Sequence, residues 1–231
     1  PLTKQQITLT PARNGNNPYW IANKNNFANV VDRVYGNGIL TYKPLDWLTI
    51  SDNLGTDFYN EFRRGTTSQG TIGSLTGDFY QANIYNRVIN NDLLITADHK
   101  ITSDLSLKVI AGYNIYDAYY RRDLSDAQQL TVDGLYVFSN AGAVTTTNTS
   151  NRKRIQGVYG DIGLSYKDFL YLNVTGRNDW TSTLPIENRS YFYPSVSTSF
   201  VFSELLPKTS WFNFGKLRAS YASVGNDLDP Y

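Results

Sequence analysis

Cysteine and methionine are absent from the 231 residues, and histidine occurs once, at His99. Without cysteine there are no disulfides, thiolate metal sites or cysteine nucleophiles. With one histidine and no G-x-S-x-G turn, a serine triad is not expected either. No stretch approaches the 18 or so consecutive apolar residues of a membrane-spanning helix, and the mean hydropathy is -0.39. A helical membrane protein is therefore excluded. Neither charge sign is in excess, since 21 Lys and Arg face 20 Asp and Glu. Bulk electrostatics thus names no nucleic acid and no acidic substrate as partner.

Aromatic residues are plentiful, with 18 Tyr and 11 Phe scattered among Gly, Asn, Ser and Thr. This mixture favours strands. Alternation supports that reading most clearly from 105 to 116, where Leu105, Leu107, Val109, Ala111, Tyr113 and Ile115 fall on one face. Ser106, Lys108, Ile110, Gly112, Asn114 and Tyr116 fall on the other. The same test yields strands at roughly 33–43, 48–63, 82–101, 153–166, 170–180, 191–202 and 212–223. Short links (43–47, 102–104, 167–169, 203–210) alternate with long ones (about 64–81, 122–152 and 181–190). In an up-and-down meander this puts tight turns on one rim and large loops on the other, as in outer-membrane barrels.

Strand length separates that reading from a soluble sandwich. Sandwich strands usually run about 3 to 10 residues, whereas a tilted membrane crossing takes about 9 to 11, and 105–116 alternates for longer than either. The Leu105 face is then expected to meet lipid, and the Lys108 and Asn114 face a hydrated or plugged lumen. Charge sorting agrees. Lys43, Lys100, Lys167 and Lys208 sit near short turns, with Trp47, Phe169 and Trp211 beside them. Arg33, Arg63, Arg64, Arg121, Arg122, Arg152, Arg154, Arg177 and Arg189 sit near long loops. Guanidinium forks suit the phosphates of an outer leaflet. Charged strand ends in any soluble protein would give a similar pattern.

Catalytic and metal residues are not expected. His99 falls on the apolar face near a short turn and reads as an interfacial side chain; one histidine and no cysteine leave no zinc spacing. Asp57 and Glu61 share a face but read as lumen charges before glycosidase carboxylates. GTTSQGTIGSLTG at 65–77 lacks the Lys and the strand-to-helix context of a phosphate loop and reads as a mobile loop. The candidate ligand contacts are Arg177 and Asp179, which share lumen parity, with Trp180 beside them, and Tyr119, Tyr120, Tyr136 and Phe138 in the long loops. The competing readings are an Arg177–Asp179 pair bracing the wall and tyrosines packing their own loops. No cofactor is implied.

The text GRNDWTSTLP at 176–185, YFYPSVSTSFVFSE at 191–204 and FGKLRASYASVGND at 214–227 resembles the SusC/RagA family of TonB-dependent outer-membrane transporters of Bacteroidetes. NPYW at 17–20 and LDWLTISDNLGTDFY at 45–59 are similar to an earlier piece of the same barrel. The resemblance spans roughly 17–231. It implies an all-β, antiparallel up-and-down transmembrane barrel of about 22 strands, of which about eight are here, without the plug domain. It further implies energy from TonB through the plug and a SusD-like surface lipoprotein that helps to capture oligosaccharides or peptides. Residues 1–32 are then an extracellular segment leading into the barrel, and 33–231 strands with long extracellular loops and short periplasmic turns. The chain opens on Pro1 and has no signal segment, so it reads as a piece of something longer. Two other readings remain open: a small autonomous barrel with a structural or adhesive role, and a soluble β-rich glycan-binding module.

Overall fold

A computed structural model describes Gln6, residues 15–207 and residues 212–225. Lys208 and Trp211, assigned above to a short-turn rim, lie outside the described residues. A short helix, α1 (Pro18–Lys24), begins at Asn17, whose side chain accepts from the backbone N–H of Tyr19, and carries Pro18 at its first turn. Eight strands follow: β1 (Asn26–Leu45), β2 (Leu48–Thr67), β3 (Asp78–Lys100), β4 (Leu105–Leu130), β5 (Ala141–Tyr166), β6 (Leu170–Thr181), β7 (Ser190–Phe200) and β8 (Leu217–Ala222). They form one sheet in sequence order, β1 to β8, and the β5–β6, β6–β7 and β7–β8 pairs are antiparallel. This is the expected meander. None of the described helices is long and apolar enough to cross a membrane, which says nothing of crossing by strands.

Several boundaries differ from expectation at the long-connection end. Residues 26–32, expected as an entry segment, are already strand. Most of 122–152, expected as loop, is also strand, because β4 runs on to Leu130 and β5 resumes at Ala141. The loop 64–81 shrinks to 68–77. In β5 from Thr145 to Ser150 both faces are polar, so the apolar period stops there while the strand continues. The connection between Thr181 and Ser190 matches its expected span. The β5–β6 connection is three residues, Lys167–Phe169, with φ of 47° and 53° at Lys167 and Asp168 and the Phe169 N–H donating to the Tyr166 carbonyl at 3.2 Å. Two successive left-handed residues give the turn the twist of its flanking strands.

Packing divides the chain into two units. One holds residues up to Val34, Asp57–Arg87 and Tyr119–Asn151; the other holds Tyr35–Thr56, Val88–Ala118 and everything from Arg152. The first unit contains the one buried apolar cluster among the described residues, Phe79, Ala127 and Leu130, with Tyr136 and Ala141 packed against it. Phe138 tilts onto Phe79 at 5.0 Å between ring centres, and the Arg64 guanidinium lies 5.8 Å over the same ring.

The 65–77 stretch is not the mobile loop expected from its glycines. Gln69 donates from its side chain to the Leu130 carbonyl at 2.6 Å, and its backbone N–H donates to Asp133 at 3.1 Å. The Trp20 indole donates to the Thr71 hydroxyl at 2.9 Å. Asn25 accepts from the Ser68 N–H and from Thr71. Gly70, Gly73 and Gly77, all with positive φ, turn the chain between these anchors.

In the second unit, side chains of β5, β6 and β7 alternate by row. Tyr166, Leu170 and Phe200 make one row; Leu164, Leu172 and Thr198 the next; then Ile162, Val174 and Val196; Gly160, Gly176 and Pro194; Val158, Asn178 and Phe192. Nothing in the described chain covers this apolar face: Ile162 is 49% exposed, Val174 45% and Phe192 65%. The opposite face carries Asp161, Thr175 and Ser195, then Gly163, Asn173 and Ser197. Asn173 donates to both Asp161 oxygens at 2.9 and 2.8 Å, and a Cβ on Gly163 would lie 3.9 Å from that of Lys108. Lys108 and Asp161 therefore share the polar face, as the alternation predicts.

Candidate functional site

On the polar face of the second unit, hydrogen bonds link side chains of five strands, β2 to β6. Asn91 of β3 donates to Asp52 of β2 at 2.8 Å. Asn114 of β4, itself buried, donates to the Asn90 side chain at 3.0 Å and to the Asn91 carbonyl at 3.2 Å. Its own side-chain oxygen accepts from Arg177 of β6 at 3.4 Å. Arg177 also donates through Nε to both oxygens of Asp179, at 2.8 and 2.9 Å. Its guanidinium lies 5.3 Å over the Tyr159 ring of β5, and the Tyr159 hydroxyl donates to Asp92 of β3 at 3.3 Å.

Two glycines make this packing possible. A Cβ on Gly112 would enter the Tyr159 ring, and one on Gly157 would collide with Arg177 and Asp179. A charged residue on a strand is thus held flat against the wall by a carboxylate, an amide and an aromatic face.

Toward the loop end of β6 and β7, this belt opens into a depression lined by Ile155, Arg177, Asp179, Thr181, Tyr191, Tyr193, Val224 and Gly225. Tyr193 pairs across from Arg177 and Tyr191 from Asp179; the two rings stack at 6.3 Å with 22° between planes. Stacked phenols next to a guanidinium and a carboxylate can lie against a flat ring or peptide plane and hydrogen-bond its edge.

The candidate residues separate accordingly. Arg177 and Asp179 are together, and they are paired with each other. Trp180 has the opposite parity and lines a separate depression with Arg154, Gln156, Thr181, Ser182 and Arg189. Tyr119 belongs to the first unit, on β4, with its ring 6.0 Å from Tyr85. Tyr120 is likewise on β4 and not in a loop. Tyr136 meets Phe79 edge-on at 6.2 Å, shares a 3.2 Å hydrogen bond with Ser68 and offers its carbonyl to Arg64. Its contacts hold the loop together. Asp57 is held by Arg33 through two hydrogen bonds of 2.8 and 2.6 Å, and Glu61 by Arg63 at 2.5 Å. His99 lies 6.4 Å from Trp47, edge to face.

No known family profile matches the chain. Among curated proteins it is 27% identical over 209 residues to TonB-dependent receptor P26 of Formosa agariphila, covering 85% of this chain and 21% of that protein. To TonB-dependent receptor P39 of the same organism it is 25% identical over 219 residues, covering 85% and 20%. The RagAB peptide transporter superposes with a TM-score of 0.86 at 16% identity, over 93% of this chain and 25% of that one. The RagAB peptide importer in its closed-closed state gives 0.84 over 90% and 24%. The sheet has the fold of a stretch of the RagAB barrel wall, and its sequence is similar to that of TonB-dependent receptors.

Here the chain spans about a fifth of the length of the curated relatives. Within that wall, Tyr191, Tyr193, Asn114 and Tyr159 were not singled out from sequence. Tyr191 and Tyr193 share parity with each other, and only the β6–β7 register reveals which residues of β6 they face. Asn114 and Tyr159 connect across strands far apart in sequence, for which a single sequence offers no signal.

Proposed function

We propose that this segment is part of the wall of a TonB-dependent importer in the outer membrane. Its apolar face lies against lipid and its polar face against the lumen. The observation that carries the reading is the uncovered row structure of β5 to β7. Hydrocarbon is the solvent that makes exposed Ile162, Val174 and Phe192 favourable while Asp161 and Asn173 sit on the opposite side. The soluble-module alternative would need a protein layer over that face. The long connections, including 68–77 and 182–189, are extracellular and the short turns periplasmic. The whole protein takes up oligosaccharides or peptides, with a SusD-like lipoprotein at its mouth and energy delivered by TonB. Resemblance to TonB-dependent receptors and to the RagAB barrel supports this assignment.

Along the lumen, the Tyr191–Tyr193 stack with Arg177 and Asp179 is the ligand contact. Full-length receptor in liposomes, or in its own cells, provides the test. Tyr191→Ala with Tyr193→Ala is expected to cut uptake at least about tenfold while leaving the folded barrel heat-modifiable on gels, since both rings face the lumen. Unchanged uptake would remove these tyrosines from the ligand path. A full-length protein that stays folded and monodisperse at high concentration without detergent would remove the membrane assignment itself.

A further inference from the structure

On the apolar face, the rows of β5 to β7 change character abruptly at the loop end. Beyond Val158, Asn178 and Phe192 comes the row Gln156, Trp180 and Ser190. Beyond that lies Arg154, whose backbone N–H donates to the Ser182 hydroxyl and whose carbonyl accepts from the Ser182 N–H, both at 2.8 Å. Arg189 closes the group through its carbonyl, which accepts from the Thr181 N–H at 3.0 Å. Arg154, Gln156, Trp180, Thr181, Ser182 and Arg189 line one shallow depression of ≈ 470 Å³. Thr181 borders both this depression and the tyrosine site, while Arg154, Gln156 and Trp180, even-numbered on β5 and β6, face away from the tyrosines.

Charge in this group is unbalanced. Arg152 donates to both oxygens of Asp117, at 3.1 and 2.5 Å, and Arg154 donates through Nε to the same carboxylate at 2.8 Å. Two guanidinium groups thus share one carboxylate. Arg154 still has a 55% exposed side chain, and its terminal nitrogens carry no hydrogen bond among the described residues. Arg189 adds a third positive charge and makes no side-chain hydrogen bond or ion pair among the described residues. Glu187, in the same connection, does not pair with it.

Distance along the strand decides what this surplus charge meets. From Tyr166 at the short turn, ten residues lead to Gln156, the Trp180 row, and twelve to Arg154. At about 3.4 Å per residue and a typical tilt near 40°, those positions stand about 26 and 31 Å above the Tyr166 row. An outward apolar band is about 25 Å tall, flanked by aromatic girdles. Tyr166, Phe169 and Phe200, with ring centres 5.6 and 6.1 Å apart in turn, form the lower girdle. Trp180 falls at the upper boundary, where indole rings prefer to sit. Arg154 and Arg189 then stand at headgroup level with open forks.

We propose that Arg154, Arg189 and Trp180 form a binding site for the phosphorylated headgroup of an outer-leaflet glycolipid. The guanidinium forks take the phosphate oxygens, and Ser182 and Gln156 supply further donors. The Trp180 ring packs along the first sugar or the start of an acyl chain. This site rests on the membrane reading above, but it is independent of what the lumen transports.

Full-length receptor purified in a phosphate-free maltoside detergent, titrated with diphosphorylated lipid A, enzymatically dephosphorylated lipid A and inorganic phosphate, tests the site. Diphosphorylated lipid A is expected to bind at least about tenfold tighter than the dephosphorylated form, because each arginine near an anionic headgroup contributes about fivefold. Arg189→Gln is expected to weaken that binding about fivefold with uptake unchanged. Arg154→Gln should add to the loss. If Arg154→Gln fails to fold because Asp117 loses a partner, Arg189→Gln alone decides, since its side chain holds nothing in place. Equal binding of the two lipid forms, or full binding by Arg189→Gln, overturns the proposal. Displacement of lipid by equimolar inorganic phosphate overturns it too, by assigning the forks to free anion. Loss of lipid selectivity with retained uptake leaves the importer reading standing. A receptor that never enters the detergent micelle sinks both.

Discussion

The two units use the same kinds of apolar residue to opposite ends. In the first, Phe79 is 1% exposed and Ala127 and Leu130 are buried with it under Tyr136. In the second, Phe192 is 65% exposed and Ile162 49%, in a row with no cover among the described residues. A loop that stands in water must carry its own core, because the hydrophobic effect acts only where water is excluded. A wall that stands in hydrocarbon needs none, and its remaining requirement is that every backbone group find a partner in the ladder. Under the importer reading proposed above, the contrast distinguishes two solvents within one sheet.

The largest effect is expected where the loop core is emptied. Phe79→Ala should cost about 3–5 kcal/mol locally and raise hydrogen exchange at Gln69–Gly77 and Tyr136 while amides of β6 stay protected. Uniform deprotection of both regions would show the two to be one cooperative block. Next in size is charge placed on the bare face: Val174→Arg should destabilise the barrel in liposomes by about 2–4 kcal/mol, whereas Ser197→Arg on the polar face should cost far less. Equal costs would break the two-solvent contrast.

Asn140 is a smaller test of the loop unit. It is buried, with its amide donating to the Val132 and Leu135 carbonyls at 2.8 and 2.7 Å and its oxygen accepting from the Val132 N–H at 3.0 Å. Asn140→Ala, which orphans those groups, should cost about 1–3 kcal/mol, read as faster proteolysis within 131–140.

The smallest effects concern pH, and they have opposite signs at the two rims. Hydrogen bonds from Arg152 and then Arg154 hold the Asp117 carboxyl below its usual range. Its contribution is present above the ordinary carboxylate value and is lost as pH falls through the lowered one. The charge of Asp104 pushes Lys167 above the usual lysine range. Its contribution is present below the ordinary lysine value and is lost as pH rises through the raised one. Asp117→Asn should remove the acid-limb loss of stability at the arginine rim and leave the alkaline limb intact; a change in both limbs would contradict the assignment.

Much of this architecture was legible before any coordinates. Period-two alternation in 158–166, 170–177 and 192–200 named the strands and both faces correctly, because one face is largely apolar there; the expected strand to 202 ends at Phe200, and Phe202 begins a short 3-10 turn. The reading failed where that asymmetry ends. In TTTNTS at 145–150 both faces are polar, so alternation disappears although the strand persists through backbone hydrogen bonds and β-branched threonines. Trp180 was grouped with Arg177 and Asp179 by adjacency, yet in a strand the neighbour of a residue points the other way. The pairing of the tyrosines with Arg177 and Asp179 depends on the register between β6 and β7, which the connection 182–189 leaves unspecified in a single sequence.

The left-handed pair Lys167–Asp168 bears on how such a wall comes to exist. A three-residue closure costs little chain entropy, so β5 and β6 can meet within microseconds and zip away from that corner before either finds another partner. The lysine and aspartate end is then the nucleus, and the end near Arg177 and Asp179 is the last part of the hairpin to close.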